Sequence, residues 1–168
     1  MPRLAASLGA LLLLVVPGCG SSGRSSTHPE ELLGTPPAGT HYKVPDSATL
    51  AQLVKIVKND SDELEARDVA VRVVQNGLQR VGAVVVLDTH GGGQDGVFTG
   101  FVREAKSSGV EATDATVAGA KVKQAELKGL VATVAVEHGF ALETIAPDRA
   151  TSERLLRPLV ARAATVPD

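Results

Sequence analysis

The sequence predicts an α+β domain: an antiparallel sheet of about five strands built from hairpins, with three helices packed mainly on one face. Three observations lead there. Residues 47–58 carry apolar side chains at helical spacing, Asn76-Gly77 sits between two β-rich runs, and the runs between 112 and 147 are punctuated at Gly119, Lys128-Gly129 and His138-Gly139. Strands joined by consecutive hairpins pair antiparallel, and helices then gather on a face of the sheet.

Each element has its own signal. In SATLAQLVKIVK, Leu50, Leu53, Val54 and Val57 fall at i, i+3, i+4 and i+7, the stripe of a helix buried along one side, and Asp46 or Ser47 is placed to cap its first turn. DVAVRVVQ and LQRVGAVVVLD read as strands joined at Asn76-Gly77, residue types that tolerate positive φ in a tight hairpin. VFTGFVREAKSS aligns Phe98, Phe101, Val102 and Ala105 on one helical face and stops before Gly109, a good residue just past a helix end. ATDATVA, AKVKQAEL, GLVATVAVE and FALETIAP form a meander. A last helix from about Arg149 to Ala164 presents Leu155, Leu156, Leu159, Val160 and Ala163, and Pro158 inside it predicts a kink or a break.

Composition narrows the function classes. The chain has 168 residues, no Trp, one Tyr and three Phe, so it has few aromatic faces to offer to bases or other flat ligands. The formal net charge is −2, without a basic stripe, which argues against a nucleic-acid partner. A single cysteine excludes an intramolecular disulfide and a multi-cysteine metal cluster.

The first residues, MPRLAASLGALLLLVVPGCGSSG, place Arg3 before an apolar run from Leu4 to Val16, with small residues following. This is the layout of a secretory signal, and a run of thirteen residues falls short of the roughly 20 that cross a bilayer as a helix. The segment VVPGC resembles the lipobox of bacterial lipoprotein precursors, with Pro17 departing from the usual small or apolar residue. The resemblance implies cleavage between Gly18 and Cys19 and a lipid on the Cys19 thiol, hence a membrane-anchored protein facing the outside. The Ser-, Gly- and Pro-rich residues 20 to about 40 then read as a flexible tether. The expected organisation is a signal over 1–18, lipidated cysteine and tether over 19–40, and one extracytoplasmic domain over 41–168.

DTHGGGQDG, residues 88–96, is the most chemical-looking stretch. Gly91, Gly93 and Gly96 satisfy the dinucleotide fingerprint, but the preceding strand belongs to a hairpin and no further strand-helix units follow. His90-Gly-Gly-Gly93 matches an oxyanion motif, yet no G-x-S-x-G nucleophile elbow accompanies it. The stretch also resembles one copy of a calcium-binding repeat that works through many stacked copies. A weak calcium site using Asp88 and Asp95, or the acidic loop Asp60, Asp62, Glu63 and Glu65, is the remaining ion reading, against the simpler one of solvated surface. The stretch is best read as a strand-to-helix connection with Asp95 as N-cap, and Asp88, His90 and Asp95 are the candidates for contact with a ligand or partner. Glu137-His138 reads as turn surface, and Arg149, Arg154, Arg157 and Arg162 as a solvated flank of the last helix.

The sequence names no cofactor, no metal and no catalytic set. The expected function is a lipid-anchored, non-catalytic binding or accessory module of the cell envelope, with an envelope protein as candidate partner. The alternative is a carrier of small molecules or calcium ions with a pocket between sheet and helices; a small hydrolase using His90 or His138 ranks last.

Overall fold

The computed structural model describes residues 27–49, 51, 66–89 and 93–166. The predicted signal, Cys19, the acidic loop 60–65 and His90 lie outside the described residues, as does most of the helix expected over 47–58. Of that helix, residues 47–49 and 51 are helical. Asp46 caps this turn, accepting from the Thr49 N–H and the Thr49 hydroxyl, each at 2.8 Å.

The strands are β1 (His41–Lys43), β2 (Val69–Asn76), β3 (Gln79–Asp88), β4 (Thr113–Val117), β5 (Ala120–Leu127), β6 (Leu130–Glu137) and β7 (Phe140–Ala146). They form one sheet in the order β1-β2-β3-β7-β6-β5-β4, antiparallel at every pairing. The α-helices are α1 (Pro29–Leu33), α2 (Gln94–Ser107) and α3 (Arg149–Ala163), with a 3₁₀ turn at Ala66–Asp68. The α+β class and the antiparallel sheet agree with expectation; the sheet has seven strands rather than about five, and with the helical residues 47–49 and 51 the described α-helices number four rather than three. The strand that no run announced is the three-residue β1, and all four meander runs are strands.

The placement of the helices differs from expectation. One core, with Val71, Val85, Leu87, Ala132 and Val134, takes Val97, Phe101 and Ala105 from α2. The other, with Val74, Val84, Val86, Phe140 and Leu142, takes Leu32 and Leu33 from α1 and Leu155, Leu156 and Leu159 from α3. Helices therefore cover both faces. The reason is visible in the strands: β7 is buried at every position and β6 at all but its two ends, so neither alternates as a half-solvated strand does.

Local chemistry sets the boundaries. The β2–β3 turn is Gly77-Leu78, one residue later than Asn76-Gly77, because Asn76 still pairs with Gln79; Gly77 takes the positive φ of 58° as first turn residue. The three meander turns, Ala118-Gly119, Lys128-Gly129 and His138-Gly139, hold positive φ at both residues, the geometry whose twist suits a two-residue hairpin. Helix α2 is capped by Gly93, not Asp95, which stands in the first turn. At its other end the Val110 N–H bonds to Ala105 O (2.9 Å) and the Gly109 N–H to Lys106 O (3.0 Å), a Schellman closure made possible by Gly109 at φ 76°. Helix α3 runs unbroken through Pro158.

The tether expected over 20–40 is corrected in its second half. Pro29–Leu33 is a helix, and Leu32 and Leu33 are 3% exposed. Pro at its start and Glu30 and Glu31 in its first turn suit a helix N-terminus. Five residues are too few to hold a helix unaided. Arg162 of α3 supplies the missing partner, donating from Nη1 to Leu32 O (3.0 Å) and Leu33 O (2.5 Å) and from Nη2 to Thr35 O (2.7 Å). Glu30 pairs with Arg72 of β2. Arg162 is thus a clamp between the chain's two ends, in place of the solvated flank expected of it.

Candidate functional site

The glycine-rich connection leaves the sheet from a buried position. Asp88 closes β3 opposite Phe140 and, like Thr89, is 5% exposed. The Thr89 N–H and hydroxyl both donate to Gly139 O, at 2.8 and 2.7 Å, fastening the start of the loop to the β6–β7 turn. Where the chain is described again, Gly93 and Gln94 open α2. They line an open pocket of about 540 Å³ with Lys121, Glu137, His138 and Gly139. This end of the sheet thus brings together the loop, two hairpin turns and a helix start. His138, expected at a turn, stands there with φ 44°.

Asp88 and Asp95 are not brought together. Asp95 is exposed and lines a separate groove of about 380 Å³ with Phe98, Thr99, Val102 and Lys123, whereas Asp88 is buried at a strand end and lines neither space. Among the described residues no group of three or more His, Cys, Asp or Glu is arranged to hold a metal ion. The dinucleotide reading fails on topology, since β3 lies between two antiparallel neighbours and has no parallel crossover partner.

Sequence reasoning missed a buried polar row. Gln124, Thr133 and Thr144 are cross-strand neighbours on β5, β6 and β7, all facing α3. The Ser152 hydroxyl donates to Thr133 Oγ1 (2.8 Å) and lies 2.7 Å from Thr144 Oγ1; Gln124 Nε2 donates to Thr133 Oγ1 (3.3 Å) and to Glu153 Oε1 (3.2 Å). Gln124, Thr133, Thr144 and Ser152 are each at most 1% exposed. The signal was a threonine in the middle of each run, Thr133 in LVATVAVE and Thr144, beside Glu143, in FALETIA.

The row ties α3 to β5, β6 and β7 through buried side chains. It fixes the first turn of α3 over the sheet, because buried hydroxyls tolerate few other geometries. Asp148 caps that turn, accepting from the Thr151 N–H at 2.8 Å, and this bond with the Thr151 hydroxyl holds its carboxyl below the usual range. On the opposite face Glu143 is fully buried between Val85 and Val134, a carboxylate that the apolar setting of FALETIAP did not suggest was internal.

Compared with protein-family models, with curated proteins and with solved structures, the chain gave no match. No helix among the described residues is long and apolar enough to cross a membrane.

Proposed function

We propose that this chain is a lipid-anchored protein of the extracytoplasmic face whose domain serves as a non-catalytic binding or accessory module. The observation that carries the reading is Cys19 in VVPGC, eight residues ahead of Thr27, where the described structure begins. With α1 packed on the domain, residues 20–26 are the tether that remains. Fully extended they reach at most about 25 Å. Such a spacer keeps the domain within roughly its own diameter of the bilayer and raises its effective concentration toward envelope neighbours. The convergence of loop, turns and helix start around Gly93 and His138 is the contact surface this reading favours, since binding residues gather on connections held by a rigid scaffold.

Mass spectrometry of the protein recovered from membranes tests the anchor. The expected result is an N-terminal peptide that begins at Cys19 and carries a diacylglycerol thioether. Cys19→Ser is expected to move the chain out of the detergent phase on phase partitioning. An unacylated product, or a Cys19→Ser variant that still partitions with detergent after signal removal, would overturn the proposal. The calcium-carrier alternative has weaker support, because Asp88 and Asp95 share no pocket.

A further inference from the structure

The two edges of the sheet are built differently. β1 has three residues, carries Lys43 and is followed by Pro45, and charge, shortness and proline all discourage a second chain from pairing there. β4 is longer and holds no proline. It runs Thr-Asp-Ala-Thr-Val in unbroken register with β5, it is exposed at Thr113, Asp114 and Thr116, and its one charge is engaged by Lys123 at 2.6 Å. Beside this edge, on the α2 face, the groove between Phe98, Val102 and Lys123 leaves Val102 37% exposed.

We infer that the β4 edge is a self-association surface, where a second copy of this chain adds its own β4 antiparallel to make one continuous sheet across a two-fold axis at Ala115. The hairpin parity decides which groups are free. Val117 and Ala120 close the two-residue Ala118-Gly119 turn as a hydrogen-bonded pair, so Val117, Ala115 and Thr113 direct their backbone groups at β5. Asp114 and Thr116 direct theirs outward. An axis through Ala115 sets Asp114 opposite Thr116 of the second copy, which satisfies the outward groups of both residues on both chains. It also sets Thr113 opposite Val117, and alanine against alanine at the centre.

Charge selects the same register. Thr116 neighbours Lys121 on β5, so Asp114 of the second copy enters a row with Lys121 on one side and its own Lys123 on the other. Moving the axis to Asp114 would set two carboxylates directly opposite each other, which is unfavourable. Moving it to Thr116 would leave a single hydrogen-bonded pair, Thr116 with Thr116, inside the strand. A closed two-fold contact of this kind ends the assembly at two copies, because each has one such edge.

Cysteine cross-linking on the full chain in detergent, in a Cys19→Ser background so that each variant carries one thiol, tests the register independently of the lipid anchor. In a non-hydrogen-bonded antiparallel pair the Cα atoms lie about 4.5 Å apart, within disulfide reach. Ala115→Cys is expected to give a disulfide-linked dimer under mild oxidation, and Asp114→Cys at least tenfold less. Adding Thr116→Glu to Ala115→Cys, which sets a second carboxylate opposite Asp114 of the other copy, is expected to cut the yield at least tenfold with unchanged circular dichroism. An Ala115→Cys chain that stays monomeric, that links instead to a protein of another size, or whose yield ignores Thr116→Glu would overturn the inference.

Discussion

Tyr42, the only tyrosine in the chain, reports on the packing of the N-terminal segment. Its hydroxyl donates to Leu33 O at 3.3 Å. Burial raises its pKa above the usual value, and the Arg162 guanidinium offsets part of the rise. The neutral phenol is therefore favoured by folding. Its stabilisation is complete below the unfolded value of about 10 and is lost as pH climbs through the higher folded value. Phenolate absorbance should titrate with a midpoint above that of the urea-unfolded chain, and Tyr42→Phe should flatten the alkaline fall in Tm. A midpoint equal to the unfolded one would place Tyr42 in solvent. None of this was legible in HYK, because a lone aromatic beside a Pro-rich stretch carries no burial signal of its own.

At the scale of elements, spacing was a good guide to existence and a poor one to neighbours. The apolar stripes of α2 and α3 and the turns at Gly119, Lys128-Gly129 and His138-Gly139 stand where the sequence put them. α1 was missed because PEELL is short and lies in a stretch whose composition reads as disordered; its partner, Arg162, is some 130 residues away. Arg162→Ala should release this helix. The loss of charged donors to three carbonyls should cost about 2 kcal/mol. Hydrogen exchange should rise over 29–43 while β6 and β7 keep their protection. Equal loss of protection throughout would show that the clamp acts on the whole core instead. Asp88 and Asp95 illustrate the same limit for the candidate site: they are seven positions apart in sequence, and one is buried at a strand end while the other faces solvent.

For the whole molecule the decisive feature is the return of the meander. After α2 the chain starts again at the far edge with β4, and its last strand, β7, lands against β3. The centre of the sheet therefore joins residues about 60 positions apart, as in Ala83 with Ile145. Either half by itself would expose a long apolar strand and half of each core. Fragments 1–112 and 113–168 are expected to be unfolded when separate and to recover the native circular dichroism when mixed. A second fragment that folds unaided would show the four-strand meander with α3 to be an independent unit. Such distant pairing also makes folding slow relative to a helical protein of the same length.

Local chemistry, then, was determined by the sequence itself: which runs extend, which coil, where the chain turns, and that cores are built from Val, Ala and Leu. These depend on neighbours within a few residues, where side-chain period and glycine's freedom act directly. The tertiary structure decided which face each helix covers, that β7 meets β3, that Arg162 fastens α1, and that Gln124, Thr133, Thr144 and Ser152 share one buried row. Those outcomes depend on which distant surfaces exclude water together, and no single stretch of chain carries that information.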